Sequence, residues 1–353
     1  MTRLKRVLAV IAATVATTVA TTAMIVASPP ARAASAPVKL EVGYIPILAA
    51  APLFVLDGEG WAKQAGIALK LTRFESGPAA IQALAAGQVD VIYAGVAPVL
   101  VARSKGVEVS VVASSAVEEM AVVGRGPLAR FSAGATPAEA FHRFATETGR
   151  RAKIGTQPPG SVPDTVLRHW LNKVAKVNPA DVEVVSMGIE KTQQALLAGA
   201  IDAATIREPT ITLVTTADPS AKVMALGGTM FPDQPGTVMA VRGAVIRDHA
   251  EAVAALVKAH VRAVRAIAAD PARAGRLSNE IIGKGLVEPE VLEKAIRSPA
   301  SKYQADPHAI VEPVQRMQAF QAELGNTDGN IPVAEAFDFR FYDAAVAHPS
   351  DAP

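Results

Sequence analysis

Residues 82–91 read QALAAGQVDV and residues 194–203 read QALLAGAIDA, nearly the same ten residues written 112 positions apart. In each copy an Ala/Leu-rich run stops at a glycine, Gly87 or Gly199, and a β-branched residue, Val89 or Ile201, opens a strand. Glycine enters the left-handed conformation that ends such a helix without steric cost. Helix, glycine stop and strand make one step of an alternating α/β chain. Finding that step twice predicts two like units.

The likeness extends outward at the same offset. Val42-Gly43-Tyr44-Ile45-Pro46 corresponds to Ile154-Gly155-Thr156-Gln157-Pro158, IALKLTRF to DVEVVSM, and VDVIYAGVAP to IDAATIREP. Each half reads as strand, helix, strand, helix, strand, helix, with Pro98 and Pro209 just past the third strand. Such a unit makes a mainly parallel sheet with helices on both faces, and two units imply two lobes with a cleft between them. In open α/β sheets ligands sit beyond the carboxyl ends of the strands, so the loops there are the ones to read for function.

EEMAVVGRG and GTVMAVRGAV are similar apolar strands ending in Arg-Gly, one before the second unit and one after it. They place lobe 1 at 34–123 and 240–353 and lobe 2 at 124–239. Beyond them the chain is mainly helical, with Asp248 and Glu251 predicted as a capping box and Asp306-Pro307 opening a helix that ends at Gly325.

Residues 1–33 have a different character. Arg3, Lys5 and Arg6 precede an apolar run from Val7 to Val26, and Ala31-Arg32-Ala33 follows as a small-x-small site. That order predicts a signal peptide removed on export, leaving a soluble periplasmic protein. The competing reading is an uncleaved anchor, since the run is about as long as the ~20 residues that span a bilayer. The segment carries four of the 35 Lys and Arg residues and no acid, which leaves 31 bases against 33 acids. With no basic stripe, a nucleic-acid partner is not indicated. The absence of cysteine from the sequence excludes disulfides, thiolate catalysis, Cys-ligated metals and a lipid anchor on an N-terminal cysteine.

VGYIP, SGPAAIQALAAGQVDV with GVAP, PGSVPDTVLRHWL and ALLAGAIDAATIREP together resemble the periplasmic substrate-binding proteins for nitrate, sulfonate, taurine and bicarbonate. That family also includes the thiamine-pyrimidine binding proteins. The resemblance implies a two-lobed (type II) trap with its ligand cleft at the hinge. It also implies a small-molecule solute and delivery to an ABC permease and ATPase at the inner membrane, while the missing cysteines and scattered histidines predict a monomer without cofactor or metal. A sensor subunit that uses the same trap to signal to a membrane partner is the alternative. The related thiamine-pyrimidine synthase carries a cysteine cluster, which this chain lacks. G-x-S-x-G and H-E-x-x-H are also missing and the six histidines are scattered, so no catalytic residue is assigned.

Candidate ligand contacts come from the loops after the strands. In the first half they are Tyr44, Ile47, Leu48, Ser76, Gly77, Gly95, Val96, Ser114 and Ser115; in the second, Thr156, Gln157, Gly160, Ser161, Arg207 and Glu208. Ser161 is also an N-cap, with Asp164 placed to complete a box. Arg207 is placed either to clamp a carboxylate or sulfonate or to pair with Glu208 and brace the hinge. Tyr44 and Tyr93 are the aromatics expected near the cleft, and Phe54 is expected in the core. IPILAAAP and GVAP give the first lobe few hydrogen-bonding side chains, which predicts an amphiphilic organic solute. Its body would lie on Ile47, Leu48 and Val96, and its anionic head would meet Thr156, Gln157, Ser161 and Arg207.

Overall fold

Two five-stranded sheets carry the polypeptide in the computed structural model, which describes residues 36–284, 287–327 and 331–347. The expected signal segment, 1–33, lies outside the described residues. In chain order the strands are β1 (Val38–Tyr44), β2 (Ile67–Arg73), β3 (Val91–Gly95), β4 (Val109–Ser114), β5 (Ala116–Val117) and β6 (Met120–Gly124). They continue as β7 (Ala152–Thr156), β8 (Val182–Ser186), β9 (Ala203–Arg207), β10 (Lys222–Leu226), β11 (Thr237–Arg242) and β12 (Lys302–Tyr303). The first sheet has the order β2-β1-β3-β11-β4 and the second β10-β6-β9-β7-β8. In each, one strand (β11 or β6) runs antiparallel to neighbours that are otherwise parallel to one another.

The repeated decapeptide is a clamp. Asp90 follows the first copy's glycine stop, and its carboxylate accepts the backbone N–H of Glu41 at 3.0 Å and Nη2 of Arg242 at 2.6 Å. Asp202 does the same in the second copy, accepting Lys153 N–H at 2.9 Å and both terminal nitrogens of Arg150 at 2.7 and 2.8 Å. The backbone carbonyls of these aspartates accept the N–H groups of Arg242 and Arg125. The Arg-Gly steps thus dock onto the repeats. Gly87 and Gly199 both have φ near +72°, as a helix stop requires. The strands begin at Val91 and Ala203, two residues later than Val89 and Ile201, because the aspartate side chain replaces the first ladder bond. Val89 and Ile201 are buried in the core instead.

The chain crosses between the sheets through 115–119 and returns through 231–236. The two crossings run side by side: Ser115 N–H donates to Thr237 O at 2.9 Å and Glu118 N–H to Gln234 O at 2.9 Å. After β11 the helix Ala250–Ala269 packs on the first sheet together with the helices Ala51–Gly58 and Arg340–Ala347. The helix Val311–Glu323 touches helices beside both sheets, Val96–Ser104 and Val162–His169.

Two local expectations are corrected. Asp248 and Glu251 form no capping box: Asp248 ends the short helix Gly243–Asp248, and His249 takes the cap position before Ala250. Asp164 does not return to Ser161 N–H either. Its Oδ1 accepts from Nε of Arg168 one turn on, at 2.9 Å.

Candidate functional site

The carboxyl ends of the two sheets meet strand by strand. Beyond β1, Leu48 N–H donates to the carbonyl of Glu208, just past β9, at 2.8 Å. Beyond β2, Glu75 accepts Ile189 N–H on its carbonyl and Glu190 N–H on Oε2, and both donors lie past β8. At the end of β3, a Cβ on Gly95 would lie 2.6 Å from Cγ2 of Val162, past β7. First strand meets third, second meets second and third meets first. This is the reciprocity of a two-fold contact, here between the two copies of the repeat. Arg73 extends the contact at the rim by pairing with Glu190 and, at 3.5 Å, with Glu75.

All fifteen candidate residues are buried, in several different roles. Ile47, Leu48, Gly95 and Val96 lie where the lobes close, with Gly95 seated on Val162. Ser76 caps the helix Gly77–Ala85 by accepting Ala79 N–H, and Gly77 fits against Pro98. Ser161 caps the helix Val162–His169 by accepting Asp164 N–H at 3.3 Å, and the carbonyl of Gly160 lies 3.4 Å from Nε2 of Gln321. Ser115 Oγ donates to Ala49 O at 2.6 Å and Ser114 O accepts from His260, so this pair braces the hinge side of the first sheet.

Tyr44 and Tyr93 do not line the cleft. Strand alternation turns both toward the helix Ala250–Ala269. There Tyr44 packs edge-on against Phe54, which is fully buried, and Tyr93 O–H hydrogen-bonds Nδ1 of His260 at 3.0 Å. Burial pushes the Tyr93 hydroxyl far up and holds the His260 imidazole down at about 4.

A small polar cavity of about 10 Å³ remains on the second-sheet side of the contact, room for roughly one water centre. Gln157, Thr192, Thr205, Arg207 and Thr210 line it, together with Ile189 and Ile206. It shares Ile189 and Thr210 with a second cavity of about 320 Å³, whose walls include Pro46, Pro209, Leu213 and Leu292. Arg207 does not pair with Glu208. Its Nη1 donates to Oε1 of Glu119 at 3.0 Å, and both side chains are at least 97 % buried. Glu119 also accepts the N–H and Oγ1 of Thr237 and so ties the crossing segments to the end of β9. Glu208 accepts Thr212 N–H and Oγ1, and burial holds its carboxyl above the usual range against these hydrogen bonds.

Sequence reading missed Glu119, Thr192, Thr205 and Thr210. Thr205 was legible: it lies two residues before Arg207 on β9, so both side chains leave the sheet on the same face. Glu119 had no comparable signal, because its partner is 88 positions away. Among the described residues, no group of three or more His, Asp or Glu side chains is placed to hold a metal ion.

Comparison with known proteins gives the same architecture. The periplasmic nitrate-binding protein NrtA from Synechocystis superposes with a TM-score of 0.77 at 15 % identity, over 89 % of each chain. The alkanesulfonate-binding protein SsuA from Xanthomonas axonopodis pv. citri, bound to MOPS, superposes at 0.68 and 19 % identity, over 86 % of this chain and 99 % of that one. A ligand-binding component of an ABC-type import system from Staphylococcus aureus, with zinc bound, gives 0.71 at 19 %, over 87 % and 99 %. In sequence, the chain is 28 % identical over 242 residues to the bicarbonate transport ATP-binding protein CmpC of Synechocystis. That match covers 66 % of this chain and 36 % of the relative, so the chain spans about a third of that protein's length. Residues 33–281 match the sequence profile of the NMT1-like family, well over half of the polypeptide and including both repeats, and the chain belongs to that family.

Proposed function

We propose that this protein is the solute-binding component of an ABC importer, a monomeric periplasmic trap that closes its two lobes over one small organic solute and presents it to a permease and ATPase. The observation that carries the reading is the pairwise meeting of the strand ends around a cavity whose polar lining comes from the second half alone. Nitrate- and alkanesulfonate-binding proteins of the same architecture, and a sequence relative named for bicarbonate transport, support it. No covalent step is required. Closure is favoured only as far as the closed arrangement binds the solute better than the open one.

In this reading each lobe is built on one sheet, the first on β1–β4 with β11 and the second on β6–β10, and they hinge on 115–119 and 231–236, a few residues before the boundaries expected at 124 and 240. The solute is amphiphilic. Its polar head points into the small cavity beside Gln157, Thr205 and Arg207, which must widen to take it, and its body extends toward Pro46, Pro209 and Leu213. Ile47, Leu48 and Val96 form the lid that the first lobe lowers over it.

A thermal-shift screen of small organic solutes tests this. A solute at a hundred times its Kd should stabilise the protein by about 2.7 kcal/mol, a shift of several degrees. The same solute should lower the radius of gyration in small-angle scattering. A stabilising solute that leaves the scattering profile unchanged contradicts lobe closure.

A further inference from the structure

We propose that the solute's head is an uncharged, amide-like group, donor and acceptor together as in a carboxamide, urea or lactam, and not an oxyanion. The inference rests on the solute-trap reading and follows from what each group around the polar cavity has left to offer.

The hydroxyl hydrogens are already committed. Thr192 Oγ1 donates to Gly188 O at 2.9 Å, Thr205 Oγ1 to Thr156 Oγ1 at 2.6 Å and Thr210 Oγ1 to Gln193 Oε1 at 3.1 Å. Each hydroxyl can therefore present only lone pairs to the cavity. Gln157 adds an amide, whose Oε1 is the end left without a partner. The residue is 96 % buried and lines the cavity. An unpartnered buried carbonyl is costly, and the group that relieves it must carry an N–H or O–H. A sulfonate, nitrate or carboxylate carries neither, and it would leave Gln157 Oε1 without a partner.

Among the described residues Arg207 is the one cationic side chain in the cavity lining, and its charge is already matched. Glu119 holds Nη1 and is itself held by Thr237, so the pair is net neutral and fixed. The rest of the guanidinium still offers N–H donors, which suit a carbonyl oxygen without calling for a negative charge. Charge around the closing surfaces points the same way. Arg73 and Arg207 stand against Glu75, Glu119, Glu190 and Glu208. A head with its carbonyl toward Arg207 and its N–H toward Gln157 satisfies both walls.

Calorimetry on the mature chain with butyramide, butyrate, propane-1-sulfonate and propylammonium reads this directly. Butyramide should bind at least tenfold more tightly than any charged member; a charged member that binds as tightly or better overturns the assignment. Gln157→Leu should weaken butyramide at least tenfold while leaving the thermal stability of the free protein unchanged or raised, because it removes an unpartnered acceptor. An unchanged affinity for butyramide in that variant also overturns it. Glu119→Gln should move the preference toward butyrate, and if that variant does not fold, Gln157→Leu alone decides. A broad screen in which no solute of any charge binds contradicts the trap itself and the head-group assignment with it. Binding restricted to oxyanions contradicts the head-group assignment alone.

Discussion

Arg207 is where two readings of one residue separate. Its position at the end of a strand suggested either a clamp on an anion or a partner for Glu208. The structure gives it a different partner, Glu119, within a nearly solvent-free hinge. Removing one member of a buried pair leaves the other charge uncompensated, typically at 3–5 kcal/mol. Arg207→Ala should therefore lower the urea midpoint by about 3 kcal/mol of stability as well as weakening solute binding. Arg207→Met combined with Glu119→Met should recover much of that loss. A fully stable Arg207→Ala would contradict the hinge role. His260 gives a second residue-level prediction. Its Nδ1 accepts Tyr93 O–H, its Nε2–H donates to Ser114 O, and burial lowers its pKa from 6.5 to about 4. The unfolded chain binds the proton more readily, so the contribution is fully present above pH 6.5 and is lost as pH falls toward 4. It is on the order of 3 kcal/mol. Urea midpoints for the parent and His260→Phe across that window should converge at the acid end.

At the scale of elements, strand and helix order was legible because periodicity and glycine stops are local signals. Both copies of the repeat fold as helix, glycine stop and strand, with Gly87 and Gly199 left-handed and each strand starting two residues later than read. What local pattern could not supply was which face of a strand is which. In a sheet covered on both sides the residues are apolar throughout, so nothing in β3 said that Tyr93 faces the helix Ala250–Ala269 rather than the cleft. The capping motifs at Asp248 and Asp164 failed for a related reason. Each acid fits a box by spacing, but a one-residue shift in helix start or an arginine one turn on decides where it goes. Gly95 tests the contact between elements. Its φ of −61° is open to any residue, so alanine there adds only a methyl group, 2.6 Å from Val162. Gly95→Ala should hold the lobes apart and abolish the fall in radius of gyration that solute binding produces. A fall as large as the parent's would mean that Val162 yields and the contact does not set closure.

For the whole molecule, the sequence repeat and the cleft are one feature. Two like units turned toward each other bring strand ends together in reciprocal order, and the Asp90 and Asp202 clamps hold those strands in register. The two-lobed architecture was therefore readable from the doubled motif. The polar cavity was only half readable. Gln157 and Arg207 stand in the second unit's loops, whereas Glu119, which sets the charge of the site, comes from a crossing segment with no repeat counterpart to flag it. In the proposed trap one small solute is held between the lobes against Gln157. Native mass spectrometry of residues 34–353 after incubation with the small-molecule fraction of a cell extract is the direct test. One organic adduct per chain is expected, displaced in Gln157→Leu. No adduct, or an adduct equally retained by Gln157→Leu and Arg207→Ala, would contradict it.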